Sequence, residues 1–288
     1  MEKRYLISVI LILGIFLVAG LFYKSKELKK AYQGDVQQGL QQIRPLDNSI
    51  LTVDDTRDLP LPVQKYLAYT GVIGKEKVQN VRIVCEGKFR PDPKKGLVPM
   101  VSEQYNYFDK PSRFYYIKLK MFGIPVVGVH SYKDATASMR IKIASLFKVA
   151  DAKGEIMNKA ETVTIFNDMC LLAPASLIDK RIKWETIDPL TVKATFTNNE
   201  NTISAHLYFN EKGEIVNFVS DDRCLTTTGE EFRQARWSTP VRDYKDFNGV
   251  KLASYGEAVW NLPEGDYCYG QINIKEVVPN FYSFKQQY

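Results

Sequence analysis

Hydrophobic and polar residues alternate with a period of two along much of the chain after residue 78. The alternation is clearest in the segments 81–90, 192–197 and 202–209. This pattern is typical of strands that pack one face in a core and keep the other in water. With similar runs elsewhere, it predicts a mainly β (α+β) fold with a mostly antiparallel sheet of roughly ten strands.

Two regions depart from the strand period and predict packed helices. Apolar residues from Ile156 to Cys170 fall on one helical stripe, and Pro174 begins a second short helical stretch that reaches Ile178. A short helix is also predicted at 59–67, because Pro62 suits a first helical turn and Gly71 suits a helix end.

Residues 5–23 form a run of 19 residues without a charge or a proline. As a helix, this run would be roughly 28 Å long, close to the ~30 Å hydrocarbon core of a bilayer. A cleaved signal peptide is the alternative, but its apolar part would be shorter and a small-residue cleavage site would follow. The sequence therefore predicts a retained single-pass anchor with the lipid bilayer as its partner.

Three segments follow from this pattern. Residues 1–23 are the N-terminal tail and transmembrane anchor, and residues 24–58 are a polar stalk and linker that begins as a solvated helix. Residues 59–288 are a single β-rich domain. Two arguments about the side of the membrane that the body occupies nearly cancel. The basic residues after the anchor favour a cytoplasmic body. A short N-terminal tail that begins with Lys-Arg is instead common in anchors that export the domain behind them.

Most of the net positive charge of the chain lies beside the predicted anchor. The 288 residues carry a net charge of +6, of which residues 1–30 hold +4. The remaining body is almost neutral and has no stripe of interleaved basic and aromatic residues. A nucleic-acid partner is therefore not expected, and the basic flanks suit lipid head groups.

The chain contains none of the common catalytic or cofactor-binding motifs. It has no glycine-rich phosphate loop, no dinucleotide fingerprint and no Gly-x-Ser-x-Gly turn, and its two histidines exclude a histidine-rich metal site. No cofactor and no metal are predicted. Cys85 and Cys170 lie on apolar faces and are predicted to be buried thiols; with Cys224 and Cys268 they could form disulfides if the body is exported.

A few polar groups remain as candidates for chemistry. Asp221 and Asp222 could bind a hard cation or act as acid and base, but the adjacent Arg223 more simply fixes a strand end by an ion pair. His130 next to Ser131 permits a Ser–His pair, although a lone adjacent pair is common by chance. His206 falls on the polar face of a strand.

Aromatic residues form the other candidate surface. Trp237 could be a core anchor or a platform for a ligand, and core is the favoured interpretation. The aromatic residues between 105 and 116 could line a pocket or fill the sheet core.

Several stretches in order resemble a bacterial family catalogued as a domain of unknown function. They are the helix at 59–67, the segments 86–90 and 102–105, the segment 220–223 with Trp237, and the segment 260–265. Cys224 stands where that family often has an aromatic residue. The resemblance to a bacterial family implies no established activity. Together with the predicted anchor, it gives an expected place in the bacterial cytoplasmic membrane. The extracytoplasmic side is slightly favoured for the body, and the orientation stays open. The strand order is similar to curved half-barrels of the lipoprotein-carrier type, which hold apolar ligands between a sheet and helices, so the resemblance implies a curved antiparallel sheet.

Three functions remain open at this stage. The first is a membrane-anchored, non-enzymatic β-domain that binds a lipid or another apolar ligand. The second is a hydrolase-like enzyme that uses Asp222, Arg223 and Glu103, and the third is an envelope assembly module without a ligand, whose protein partner is unknown. The candidate ligand-binding residues are Glu103, Tyr105, Asp222, Arg223, Trp237 and Trp260.

Overall fold

The computed structural model describes residues 26–44, 50–144, 146–226 and 229–283. The predicted anchor at 5–23 lies outside these residues. Within them, no helix is long and apolar enough to cross a membrane.

Three α-helices are present in the described part of the chain: α1 at Glu27–Gln41, α2 at Leu61–Thr70 and α3 at Glu155–Leu172. Short 3-10 helices lie at Asp54–Thr56 and Pro174–Ile178. The helices predicted at 59–67 and from Ile156 to Ile178 are thus confirmed. At the end of α2, Gly71 adopts a left-handed φ of 73°, a conformation that glycine tolerates without a Cβ clash.

The described residues contain sixteen strands rather than about ten. They are β1 Asn80–Phe89, β2 Val98–Tyr107, β3 Ser112–Met121, β4 Ile124–Lys133, β5 Thr136–Ile143, β6 Phe147–Lys153, β7 Ile182–Asp188, β8 Thr191–Asn198, β9 Asn201–Phe209, β10 Ile215–Ser220, β11 Cys224–Leu225, β12 Arg233–Gln234, β13 Arg236–Ser238, β14 Val241–Phe247, β15 Val250–Leu262 and β16 Gly265–Pro279. Strands β11 to β13 are two or three residues long, too short for a period of two to show. Strand β14 has no fully buried residue, and its partly buried residues are three positions apart, so its sequence shows no alternation.

Fourteen of these strands form one antiparallel sheet, and β11 pairs with β12 separately. The order is β6-β5-β4-β3-β2-β1-β16-β15-β13-β10-β9-β8-β7, with β14 paired to β15 outside this path. The antiparallel, mainly β architecture is confirmed, while the predicted strand number was too low.

The sheet must curve around α3. This helix contacts β5 and β6 near one end of the strand order and β9 and β10 near the other. Nine strand steps separate β5 from β9, which would span about 43 Å in a flat sheet. The 18 residues of α3 form a rod of only about 27 Å, so only a curved sheet brings both ends to it. We call the face of the sheet that contacts α3 the inner face and the opposite face the outer face.

The inner face holds the main core. Phe166 of α3 stacks on Phe196 with the ring centroids 5.2 Å apart and meets the edge of Phe218 at 5.8 Å. Tyr66 of α2 donates a hydrogen bond to the carbonyl oxygen of Cys170, which ties α2 to α3. Both Cys85 and Cys170 are buried, as predicted, and all four cysteines are free thiols.

Helix α1 packs on the outer face. Its residues Leu28, Tyr32 and Val36 are buried, and they lie four positions apart, on one stripe. This stripe contacts an aromatic and aliphatic patch made of Tyr105, Tyr107, Phe114, Tyr116, Val127 and Val129. The expectation of a solvated helix after the anchor was therefore wrong for α1, because three buried apolar residues, continued by the partly buried Leu40, were enough to dock it. The same contacts place most of the aromatic run between 105 and 116 in a core.

Candidate functional site

A buried polar cluster lies between α3 and the inner face. Asp168 of α3 uses one carboxylate oxygen, Oδ2, to accept hydrogen bonds from the side chains of Gln104, Asn106 and Arg113 at 2.7 to 3.0 Å. Strand alternation explains the convergence, since 104 and 106 share one face of β2 and Arg113 lies on the adjacent strand β3. All four side chains are buried.

Glu161, two helical turns before Asp168, is the second acidic group of this cluster. Its carboxylate lies 3.4 Å from Arg113 Nη1, 3.4 Å from His130 Nδ1 and 3.9 Å from Arg223 Nη2. Burial acts to raise the pKa of Glu161, but the His130 hydrogen bond and the charges of His130, Arg113 and Arg223 outweigh it and lower this pKa to about 2. Glu161 is therefore ionised in the folded protein at neutral pH.

This lowered pKa predicts an acid-dependent loss of stability. A carboxyl group whose pKa is depressed on folding contributes stability that is fully present above its ordinary pKa of 4.5 and is lost as the pH falls towards about 2. We expect Glu161→Gln to flatten the dependence of the unfolding free energy on pH in this window, measured by chemical denaturation. Glu185→Gln, at an exposed carboxylate, is the control and should keep the parent slope. Equal slopes in all three proteins would contradict the assignment.

Arg223 is the least satisfied charged group of the cluster. Its side chain is only 12% exposed, yet within the described residues its guanidinium donates no hydrogen bond, and its Nε atom is buried without a partner. The 3.9 Å separation from Glu161 is an ion-pair distance and too long for a hydrogen bond. The guanidinium carbon lies 4.3 Å from the ring centroid of Trp237 and 5.5 Å from that of Trp260. Two indole rings therefore hold the Arg223 guanidinium, whose N–H groups make no hydrogen bond with the described residues.

Aromatic rings continue from Arg223 along the inner face. Trp260 stacks on Tyr269 at 6.0 Å, and Tyr269 meets the edge of Phe89 at 5.9 Å. Phe89 in turn packs against an apolar cluster formed by Met100, Ile117, Leu119 and Val126. Phe89 and Tyr269 are half-buried, so this row presents an apolar surface that the protein itself leaves incompletely covered.

A different groove lies on the outer face. Its volume is about 380 Å³, and it is lined by Tyr208, Asn217, Val219, Arg236, Ser238 and Asn261. Arg236 there forms an exposed ion pair with Asp221 at 2.9 Å. Because Arg236 and Trp237 are consecutive strand residues, this groove and the Arg223 site are on opposite sides of the sheet.

A family model described as a family of unknown function (DUF6544) matches residues 49–272, more than three quarters of the chain. The chain belongs to this family. The resemblance drawn from the sequence motifs is confirmed. The DUF6544 region contains the whole Arg223 site and leaves out α1.

Two solved structures are similar to this chain at low identity. One is a domain assigned to outer membrane lipoprotein sorting from Vibrio parahaemolyticus, 8% identical, with a TM-score of 0.39 over 76% of this chain and 91% of that one. The other is a LolA superfamily protein from Nitrosomonas europaea, also 8% identical, with a TM-score of 0.40 over 76% of this chain and 93% of that one. No curated protein sequence matches the chain.

The structure divides five of the six candidate residues into two groups, and the sixth, Asp222, has partners of its own. Arg223, Trp237 and Trp260 meet on the inner face, whereas Glu103 and Tyr105 lie on the outer face under α1. Glu103 accepts a hydrogen bond from Arg82 Nε at 2.8 Å, and Tyr105 shares the same donor at 3.1 Å. An enzyme site built from Asp222, Arg223 and Glu103 would thus need groups from both sides of the sheet.

The remaining polar candidates, Asp222, His130 and Ser131, form ion pairs or hydrogen bonds with separate partners and share no site. Asp222 pairs with Lys159 of α3 at 2.8 Å and accepts a hydrogen bond from the backbone of Ser204, so it points away from Asp221. His130 faces Glu161 on the inner face, while Ser131 donates to Asp35 of α1 on the outer face, and no Ser–His pair forms. Among the described residues, no three His, Cys, Asp or Glu side chains are arranged to hold a metal ion.

Sequence reasoning missed most of the buried polar cluster. It did not single out Arg113, Glu161 or Asp168, and it did not identify His130 as the partner of Glu161. One pattern could have indicated two of them. Glu161 and Asp168 are seven residues apart, so they share one side of a helix that is otherwise nearly all buried. Charged residues inside such a helix must find buried partners.

Proposed function

We propose that this chain is a membrane-anchored, non-enzymatic domain whose inner face binds an amphiphile with an anionic head group. The observation that carries the proposal is Arg223, a largely buried guanidinium between Trp237 and Trp260 whose donors find no acceptor among the described residues. The same proposal places the chain in the bacterial cytoplasmic membrane, with the folded body on the extracytoplasmic side.

The head group follows from the chemistry of arginine. A guanidinium presents five N–H donors in a planar fork that matches the two oxygens of a carboxylate or phosphate. Such charge-assisted hydrogen bonds are about twice as strong as neutral ones. An anion bound by Arg223 would satisfy donors that Glu161, at 3.9 Å, does not. The contacts with the two indole rings hold the guanidinium in place, so little ordering of Arg223 is required on binding.

The apolar part of the ligand follows from the surface beside Arg223. The row from Trp260 through Tyr269 to Phe89 leads to the Met100 cluster. A hydrocarbon chain that lies along this row would remove half-buried aromatic surface from water, at about 25 cal/mol per Å² of apolar area. An anionic head at Arg223 and a chain along these rings together describe a fatty acid or an anionic lipid.

The predicted anchor supports this class of ligand. Residues 5–23 would hold the domain at a bilayer, which is the source of such amphiphiles. A ligand taken from the membrane would not need to cross water to reach the inner face.

Photolabelling tests the proposal on the full chain in its membrane. The probe is a long-chain fatty acid with a diazirine at its far end, and labelled peptides are identified by mass spectrometry. We expect labelling of the strands that carry Phe89 and Ile117, and about tenfold less in Arg223→Gln, the effect of losing one charge-assisted hydrogen-bonding group. Background labelling of residues 5–23 serves as the internal standard.

Two controls make this result specific. Arg236→Gln removes a neighbouring arginine on the outer face and should leave the labelling unchanged. The methyl ester of the probe has no charge, so it should label the parent and Arg223→Gln equally. Equal labelling of both proteins by the free acid, or a loss on Arg236→Gln, would overturn the assignment of the head group to Arg223.

A further inference from the structure

Several turns of the sheet lie at one end of the molecule. Strands β1 and β2, β3 and β4, and β15 and β16 are consecutive antiparallel neighbours, and Phe89 pairs with both Val98 and Gly270. Met100 pairs with Leu119, next to the β3–β4 turn. The β1–β2, β3–β4 and β15–β16 turns are therefore on the same side, and we call this the turn end.

The turn end exposes large apolar side chains. Phe122, in the β3–β4 turn, is 93% exposed, and Phe147, at the start of β6, is 70% exposed. Ile124 is also exposed. Soluble surfaces carry scattered apolar residues, but two nearly free phenylalanine rings at one end indicate a contact surface.

The conformation of Phe122 strengthens this interpretation. Phe122 and Gly123 have φ values of 51° and 80°, so both central residues of the two-residue turn are left-handed. This turn type strongly favours Asn, Asp or Gly at its first position. Phenylalanine there is sterically unfavourable and gains no packing in return. Folding therefore does not explain this residue, whereas a contact made outside the domain would.

Helix α1 begins at the turn end. Its first residue, Glu27, pairs with Lys142 near the end of β5 at 2.8 Å, and Tyr32 stacks on Tyr116 at 5.3 Å. Further along α1, the carbonyl oxygen of Val36 accepts a hydrogen bond from Tyr107, next to the opposite end of β3. The helix thus runs away from the turn end, and the chain that precedes it emerges there.

The length of this preceding chain limits the distance to the membrane. Only residues 24–26 separate the apolar run 5–23 from Glu27, and four Cα steps span at most about 14 Å. Lys118 and Lys120 on β3, with Lys94 and Lys95 in the β1–β2 loop, add positive charge to this end. Anionic head groups attract such lysines.

We infer that the turn end docks on the bilayer surface, with the rings of Phe122 and Phe147 at the head-group level. This inference rests on the membrane anchor of the proposed function. It fixes the orientation of the domain: the β1–β2 loop and the Phe89 end of the aromatic row face the membrane.

Fluorescence quenching tests the docking. The full chain is reconstituted in vesicles of phosphatidylcholine and phosphatidylglycerol whose acyl chains are brominated, and the parent signal from the native tryptophans is subtracted. We expect the added indole of Phe122→Trp to be quenched strongly. The matched control is Val53→Trp, an apolar position that is 65% exposed. Val53 is two residues before Asp55, which pairs with Lys77 just ahead of β1, at the end opposite the turn end. Equal quenching at both positions would overturn the docking.

A second variant separates docking from folding. Phe122→Asn suits the left-handed turn and should fold at least as stably, but it removes an inserting ring. In this background, the quenching of Phe147→Trp should fall at least twofold; no change would contradict the inference. Co-flotation of the chain with vesicles is scored separately: no flotation overturns both anchor and docking, whereas flotation without quenching at 122 overturns the docking alone.

Discussion

Asp168→Asn is expected to lower the free energy of unfolding by about 3–5 kcal/mol, the usual cost of removing one partner from a buried ion pair. The substitution keeps the size of the side chain but removes the charge that faces Arg113 Nε at 2.7 Å. Three donors converge on Asp168 Oδ2, and an amide cannot accept all of them as well as a carboxylate does. Chemical denaturation of the full chain, followed by tryptophan fluorescence, measures the change.

The comparison with an exposed carboxylate isolates the effect of burial. Asp54 forms an ion pair with Arg57 at the surface, and Asp54→Asn should cost at most about 1 kcal/mol. If Asp168→Asn alone does not fold, Arg113→Met combined with Asp168→Leu removes both charges and should recover part of the loss; Gln104 and Asn106 still lose their acceptor, and Glu161 loses one partner. A cost for Asp168→Asn as small as that of the surface variant would contradict the buried cluster.

Strands with one wet and one packed face were predictable from the chain, and strands without that contrast were not. In β9, Ile203, Ala205 and Leu207 are buried between more exposed residues, as the alternation indicates. Strand β14 has no fully buried residue, and its partly buried Val241, Tyr244 and Phe247 are three positions apart, so no period of two marks it as a strand. Helix α1 was misjudged because its average polarity hid a narrow apolar stripe with one residue in every four, from Leu28 to Leu40.

The candidate site was predictable only in part, because short sequence motifs indicate single residues and not their contacts across the sheet. Arg223, Trp237 and Trp260 were chosen as candidates because their segments resemble motifs of the family, but the sequence did not indicate that the three side chains meet. The alternation of β2 separates Glu103 from its neighbour Gln104, but the sequence does not say which of them faces α3. Arg113 meets Asp168 across 55 positions of the chain. Such a pairing depends on the curvature of the sheet, which no local pattern records.

Tyr32→Ala is the second large effect that we expect, a loss of about 3–5 kcal/mol, as for other buried aromatic residues. Tyr32 is 1% exposed and packs against the rings of Tyr105 and Tyr116. Its removal leaves a cavity between α1 and the outer face and exposes the aromatic patch beneath. Hydrogen exchange of the α1 amides, together with chemical denaturation, measures the undocking.

Tyr32→Phe distinguishes packing from hydrogen bonding. The Tyr32 hydroxyl lies 3.3 Å from the Glu103 carbonyl oxygen and 3.4 Å from the Glu103 carboxylate, which are long hydrogen bonds, so its loss should cost no more than about 1 kcal/mol. A Tyr32→Ala protein with parent-like protection of α1 would show that the helix does not depend on this contact. If α1 does detach, the domain is no longer held with its turn end towards the bilayer. The quenching of Phe122→Trp should then fall in the Tyr32→Ala background while co-flotation persists, because the anchor at 5–23 is unchanged.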